Sequence, residues 1–198
     1  MAGDDSGGWP LARLMWVSFL DGARPSGIGE WVWPVAPVVT QAAVGAGHWA
    51  AGRHKRALAE WASSVGFALM AWGLGTEAPS RAAAQQHIEQ EKDLMRERGI
   101  EVPATAAHTF TAAQQARHTR YDVAATVVGT VLRVRYGLGH PRRLTAGAIA
   151  DEAWTIVFYG LRMSRAVQRR RPKIAAGSAL VVAGSAARLR AASAEPLR

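Results

Sequence analysis

Twenty-two consecutive residues, Trp31 to Gly52 (WVWPVAPVVTQAAVGAGHWAAG), carry no Asp, Glu, Lys or Arg, and His48 is their only titratable side chain. As a helix such a stretch rises about 33 Å, enough for the roughly 30 Å hydrocarbon core of a bilayer. Trp31, Trp33 and Trp49 stand near its two ends, where indole rings collect at the headgroup level of a membrane helix. Pro34 and Pro37 fall near its start, the part of a helix that tolerates proline best. Its Gly and Ala content makes it only moderately apolar, so the buried helix of a soluble bundle reads the same way.

Four residues follow as a basic knot, Arg53, His54, Lys55 and Arg56, and after them Ala57 to Gly75 is apolar apart from Glu60, with Trp61 and Trp72 toward its ends. Two apolar stretches joined by a short basic turn predict a Trp-flanked helical hairpin over Trp31 to Gly75. The positive-inside rule makes Arg53, Lys55 and Arg56 a topology-setting turn on the cytoplasmic side. Glu60, one turn on, is within helical reach of Lys55 or Arg56. The soluble counterpart is an αα-hairpin at the centre of a helical bundle.

Charge is unevenly spread. Of 24 Lys+Arg and 15 Asp+Glu, residues 133–198 hold thirteen and three, a local net charge of +10 within a total of +9. Part of the arginine preference is genomic: Ala (40), Gly (20), Arg (21) and Pro (9) are all specified by GC-rich codons, whereas Lys occurs three times. Eight Trp have no such origin. A basic third points to an anionic partner, either nucleic acid or the anionic leaflet of a membrane. Arg162, Arg165, Arg169, Arg170, Arg171 and Lys173 are the candidate contacts.

The rest of the chain reads as helices and connectors in an all-α fold. Residues 1–30 begin acidic and Gly/Ser-rich, without the basic region of a secretory signal. They continue through Trp9 to Leu20, a helix too short to cross a bilayer, into a turn-rich linker. Residues 31–76 are the hairpin. Residues 77–122 are polar, with a salt-laced helix from Pro79-Ser80 to Gly99 and a second helix capped by Thr111. Residues 123–171 are amphipathic helices with a basic end. Val123 to Leu132, ten uncharged residues, is a candidate third crossing, which would place the 77–122 loop outside and the basic tail on the side of the Arg53–Arg56 turn. After a break at Gly137 to Arg143, a helix from Thr145 to about Arg170 repeats Ile149, Ala153, Ile156, Gly160, Met163 and Val167 at alternating spacings of four and three, the seam of a packing helix, and Trp154, Phe158 and Leu161 widen it into a stripe. Residues 172–198 form a flexible Ala/Ser/Arg tail.

Little catalytic chemistry is legible. With no Cys, disulfide scaffolds, thiolate nucleophiles and Cys-ligated metals are excluded. His48, His54, His87, His108, His118 and His140 show no metal-ligand spacing, and no phosphate-binding glycine loop or GxSxG is present. Leu144 to Ala153 superficially resembles the first helix of a helix-turn-helix, but the apolar WTIVFYG follows where a turn belongs. The expectation is a bacterial, non-enzymatic, cofactor-free helical membrane protein of the inner membrane, with a basic cytoplasmic C-terminal region. It would contact lipid, and nucleic acid through that region, as a homo-oligomer or a structural subunit of a larger assembly. The alternative is a soluble helical bundle, cytoplasmic or particle-associated, that binds nucleic acid nonspecifically or builds a virion-like particle.

Overall fold

The computed structural model describes residues 22–102 and 146–193, together with Leu20, Ala124, Val127, Val128 and Val131. The described residues are all-helical, without strands: α1 (Ile28–Ala50), α2 (His54–Thr76), α3 (Arg81–Glu97), α4 (Ala146–Gln168) and α5 (Pro172–Ser193). Local chemistry sets their ends. Glu30, in the first turn of α1, reaches back to the Ser26 backbone N–H at 2.8 Å and the Ser26 hydroxyl at 3.1 Å, a variant of the capping box. The Ser80 hydroxyl accepts from the Ala83 N–H at 3.2 Å and opens α3. Three helices end in the same paired bonds from a left-handed residue and its successor: Gly52 and Arg53 after α1, Gly99 and Ile100 after α3, Arg170 and Arg171 after α4. Arginine occupies the left-handed position only in the last of the three, at φ 55°.

α1 begins three residues before the charge-free stretch, which puts Pro34 and Pro37 inside the helix rather than at its first turn. With α2 it forms the expected antiparallel hairpin, turned through Ala51, Gly52 and Arg53. Trp61 lies against Gly45, where a Cβ would meet its ring at 2.5 Å, and donates from Nε1 to the Ala42 carbonyl at 3.3 Å. The Ser64 hydroxyl donates to the Val38 carbonyl at 2.8 Å.

α4 and α5 form a second antiparallel hairpin, and the two join through α2 and α5, so the helices lie side by side in the order α1, α2, α5, α4. Small residues line the central seam. A Cβ on Gly66 would stand 2.6 Å from the Gly177 carbonyl, and one on Gly177 2.5 Å from the Gly66 carbonyl. Gly73 is equally closed by Ile174, and Gly184 by Ser63 and the Ala59 carbonyl. Backbones this close gain dispersion along the whole seam, as small-residue contacts do between membrane helices.

Three expectations are corrected. Pro172–Ser193 is no flexible tail: it is α5, a central helix with Ile174, Ser178, Val181 and Ser185 buried. Of the two expected crossings, α2 (His54–Thr76) is long and apolar enough by length and composition, as is α5 (Pro172–Ala191), whereas α1 falls below the same hydropathy, lowered by Trp31, Trp33, Pro34, Pro37, Gln41 and His48. The seam on α4 faces its neighbours only in part. Ile149 and Val167 are exposed and a Cβ on Gly160 would touch nothing within 4 Å, while Ile156 and Met163 are half-buried; of the residues that widen the seam Phe158 is buried and Trp154 and Leu161 are exposed, and Ala166, outside it, is buried. Of Val123 to Leu132, the described positions Ala124, Val127, Val128 and Val131 are helical and exposed. The rest of the helix expected after Thr111, the break at Gly137 to Arg143 and, apart from Leu20, the helix at Trp9 to Leu20 lie outside the described residues.

Candidate functional site

The antiparallel order distributes the basic residues over two ends of the layer. One end gathers the start of α1, the end of α2, the end of α4 and the start of α5. There Gly75 meets Trp31 and Gly73 meets Ile174, and the turn Arg169–Arg171 joins α4 to α5. The other end carries Arg53 to Arg56 at the start of α2, the start of α4 and the end of α5. The two candidate basic groups therefore do not share one end of the layer. Arg162 to Lys173 belong to the first end and Arg53, Lys55 and Arg56 to the second, one helix length apart, about 34 Å for 23 residues.

At the first end the candidate contacts divide by role. Arg169 and Arg170 are exposed in the turn, and Arg165 and Arg171 are half-buried beside it. Arg169 Nη2 lies 2.7 Å from His87 Nε2, and because a guanidinium only donates, the imidazole accepts there. Arg162 lies deeper in α4, near Gly22, whose Cβ would stand 3.6 Å from its Nη2. Lys173 is committed to the fold: its Nζ donates to Thr76 Oγ1 at 3.0 Å, lies 3.6 Å from Glu77 Oε1, and sits 4.6 Å from the centre of the Trp72 ring. α3 is tied to this end by Arg81, which donates to Glu30 at 2.6 Å, and Arg24 bonds the Pro79 carbonyl at 2.8 Å through its backbone N–H.

At the second end Arg53 stands at the N-cap of α2, with Lys55 exposed and Arg56 half-buried in the first turn. Three basic residues at a helix N-terminus oppose its dipole, so their position is set by something other than helix stability. Trp49 packs at this turn in tilted contacts, 4.3 Å from His54 and 5.3 Å from Trp61 between ring centres.

Sequence reading missed the charged group inside the layer. Arg188 of α5 forks onto Glu152 of α4, Nε to Oε1 at 2.6 Å and Nη2 to Oε2 at 2.9 Å. Its Nη1 reaches Glu60 of α2 at 3.3 Å and Ser63 at 2.8 Å, and its Nη2 donates to Ser185 at 2.8 Å. All three charged side chains are at least four-fifths buried. The available signal was the repeat Gly177-Ser178, Gly184-Ser185, seven residues apart, which marks one packed face of a helix and places Arg188 one turn beyond it.

Among the described residues no group of three His, Asp or Glu is placed to hold a metal ion. Comparison of the chain with known protein families, curated proteins and solved structures returns no match.

Proposed function

We propose that the protein is a small integral membrane protein that serves as a structural or interaction subunit of a larger assembly rather than as an enzyme. One observation carries this reading: the polarity of the helical layer is inverted. Ser63, Ser178 and Ser185 are fully buried, and Thr40, His48, Glu60 and Ser64 nearly so. Meanwhile Trp33, Val39, Leu58, Val65, Trp72, Trp154, Val157 and Leu161 are each 48–58% exposed. Among the described residues of these four helices only Val44, Met70, Phe158, Ile174 and Val181 are buried apolar side chains larger than alanine. Water would penalise such an arrangement at about 25 cal/mol per Å² of exposed apolar surface, whereas hydrocarbon accepts the same surface and rewards internal pairing of the polar groups. The exposed tryptophans near the helix ends support it, with Trp33 and Trp72 at one end and Trp49 at the other, and aliphatic side chains between.

The deciding experiment is fractionation of expressing cells with an alkaline carbonate wash and then detergent. Retention through carbonate with release by detergent is the expected result. Recovery in the soluble fraction would sink the reading and favour the soluble bundle, for which salt-titrated nucleic-acid binding is the next measurement. The arginine turn supplies the interaction surface. Replacing Arg169, Arg170 and Arg171 by Gln is expected to weaken binding to an anionic partner at low salt, and unchanged binding would count against that role.

A further inference from the structure

We infer that His87 is a pH-sensitive clasp between α3 and the arginine turn, holding Arg169 while the imidazole is neutral and letting go when it is protonated. Arg169 Nη2 lies 2.7 Å from His87 Nε2. A guanidinium carries donors only, so Nε2 is the unprotonated nitrogen in this contact. The same Nε2 stands 3.9 Å from Glu91 Oε1, one turn further along α3. These two charged groups reach the ring, a cation from the turn between α4 and α5 and an anion from its own helix. Arg165, Arg170 and Arg171 add positive charge on the side of Arg169. The His87 side chain is 35% exposed, so protons reach it from solvent. Protonation places a hydrogen on Nε2 and a charge on the ring: the acceptor is lost, the guanidinium is repelled, and Glu91 becomes the favourable partner. Neutral His87 thus ties α3 to another element, and charged His87 is tied back to its own helix.

The way α3 is attached lets this exchange move it. Among the described residues α3 makes no close backbone approach to α1, α2, α4 or α5, and its buried apolar residues Ile88 and Met95 cluster with Val102 and Ile100 of the chain that follows it. Its other ties to the layer lie at its start, where Arg81 donates to Glu30 at 2.6 Å and the Arg24 N–H bonds the Pro79 carbonyl at 2.8 Å. From Arg81 to His87 the helix rises about 9 Å. Release of His87 therefore leaves the start of α3 as a pivot and frees the remainder to swing away from the arginine turn. The Glu30 carboxyl is held below its ordinary value of 4.5, so the pivot survives the pH interval in which an imidazole titrates. The consequence reaches the proposed interaction surface, since Arg169 keeps its charge at acid pH and loses this acceptor. The switch itself rests neither on that surface nor on the membrane reading.

The absence of cysteine makes the test direct. Nitroxide labels are placed on Glu97→Cys at the end of α3 and on Gln168→Cys beside the arginine turn, both at exposed positions. Pulsed electron spin resonance on the purified full chain reads the distance between them at about pH 8 and about pH 5.5, on either side of an imidazole titration. With His87 in place, a single short distance is expected at the higher pH and a longer, broader distribution at the lower. His87→Gln, whose side-chain carbonyl accepts from Arg169 without titrating, should keep the short distance at both. His87→Lys, charged throughout, should give the long distribution at both. A distance that does not change with pH in the chain bearing His87 would overturn the inference. Equal lengthening in His87→Gln would assign the response to another group and overturn it as well. A short distance in His87→Lys at the higher pH would show that a charge at this position is compatible with the contact, and would count equally against it.

Discussion

The carboxylate of Glu77 closes the first turn of α5, ninety-six residues away, accepting from the Lys173 backbone N–H at 3.0 and 3.1 Å and from the Ile174 N–H at 3.2 Å. A remote residue thus caps a helix whose own first residues, Pro172 and Lys173, offer no acceptor side chain. The anion also faces the positive end of the α5 dipole.

Glu77→Ala should therefore lower stability by about 1–2 kcal/mol, the loss of a cap together with a partly buried dipole contact. Glu77→Gln should cost less, since it keeps an acceptor and loses the charge. Thermal unfolding in a mild detergent, followed by circular dichroism, measures both. Identical midpoints for wild type and Glu77→Ala would show that the contact adds nothing.

Gly66 and Gly160 offer a matched pair of alanine substitutions. At Gly66 the new methyl meets the Gly177 carbonyl at 2.6 Å and Val181 at 2.9 Å, so α2 and α5 must separate, at a cost of about 1–3 kcal/mol. At Gly160 it meets nothing, and the gain in helix propensity should stabilise α4 by about 0.5–1 kcal/mol. Equal effects of the two substitutions in the same unfolding assay would contradict the close approach of the central helices.

Arg188 should be the least replaceable side chain in the layer. Arg188→Met leaves Glu60 and Glu152 buried without their shared guanidinium and should cost about 3–5 kcal/mol. Replacing all three with Met or Leu of similar volume should restore most of that loss, because the penalty comes from uncompensated charge rather than from lost packing. Denaturant titration of the single and triple variants separates the two causes, and a triple variant as unstable as Arg188→Met would assign the loss to packing.

What could be read from the chain followed the physics of charge. A charge-free stretch, a basic knot and a second apolar stretch leave few arrangements besides a hairpin, and α1 and α2 form one. Ser80 and Gly99 mark the ends of α3 by chemistry that needs no tertiary context. α5 escaped because its packed face is Gly177, Ser178, Gly184 and Ser185, residues that score as weakly apolar although they permit the closest helix contact. The seam on α4 misled for the opposite reason. Ile149, Trp154, Leu161 and Val167 are exposed, and Glu152 points toward the neighbouring helices to meet Arg188. The split of the basic residues between two ends depends on how α5 returns along α2, which no local spacing records.

Acid should loosen the link between α1 and α3. Burial pushes the Glu30 carboxyl up, but the Ser26 backbone N–H and the Arg81 guanidinium outweigh it and hold the group below its ordinary value of 4.5. On α3 itself, Lys92 holds Glu89 down in the same way. A carboxyl depressed in the folded state contributes stability that is complete above its unfolded value and disappears as pH falls through its folded value. Wild type should therefore exceed Glu30→Gln in stability by a constant margin from pH 7 to about pH 5, and that margin should shrink steadily on further acidification until the two coincide. Arg81→Gln should trace a similar curve, since it removes the partner of the same ionised group. Unfolding midpoints of the three proteins across that pH range provide the measurement. A margin between wild type and Glu30→Gln that persists unchanged to pH 3 would mean that Glu30 acts through its shape and hydrogen bonding rather than its charge.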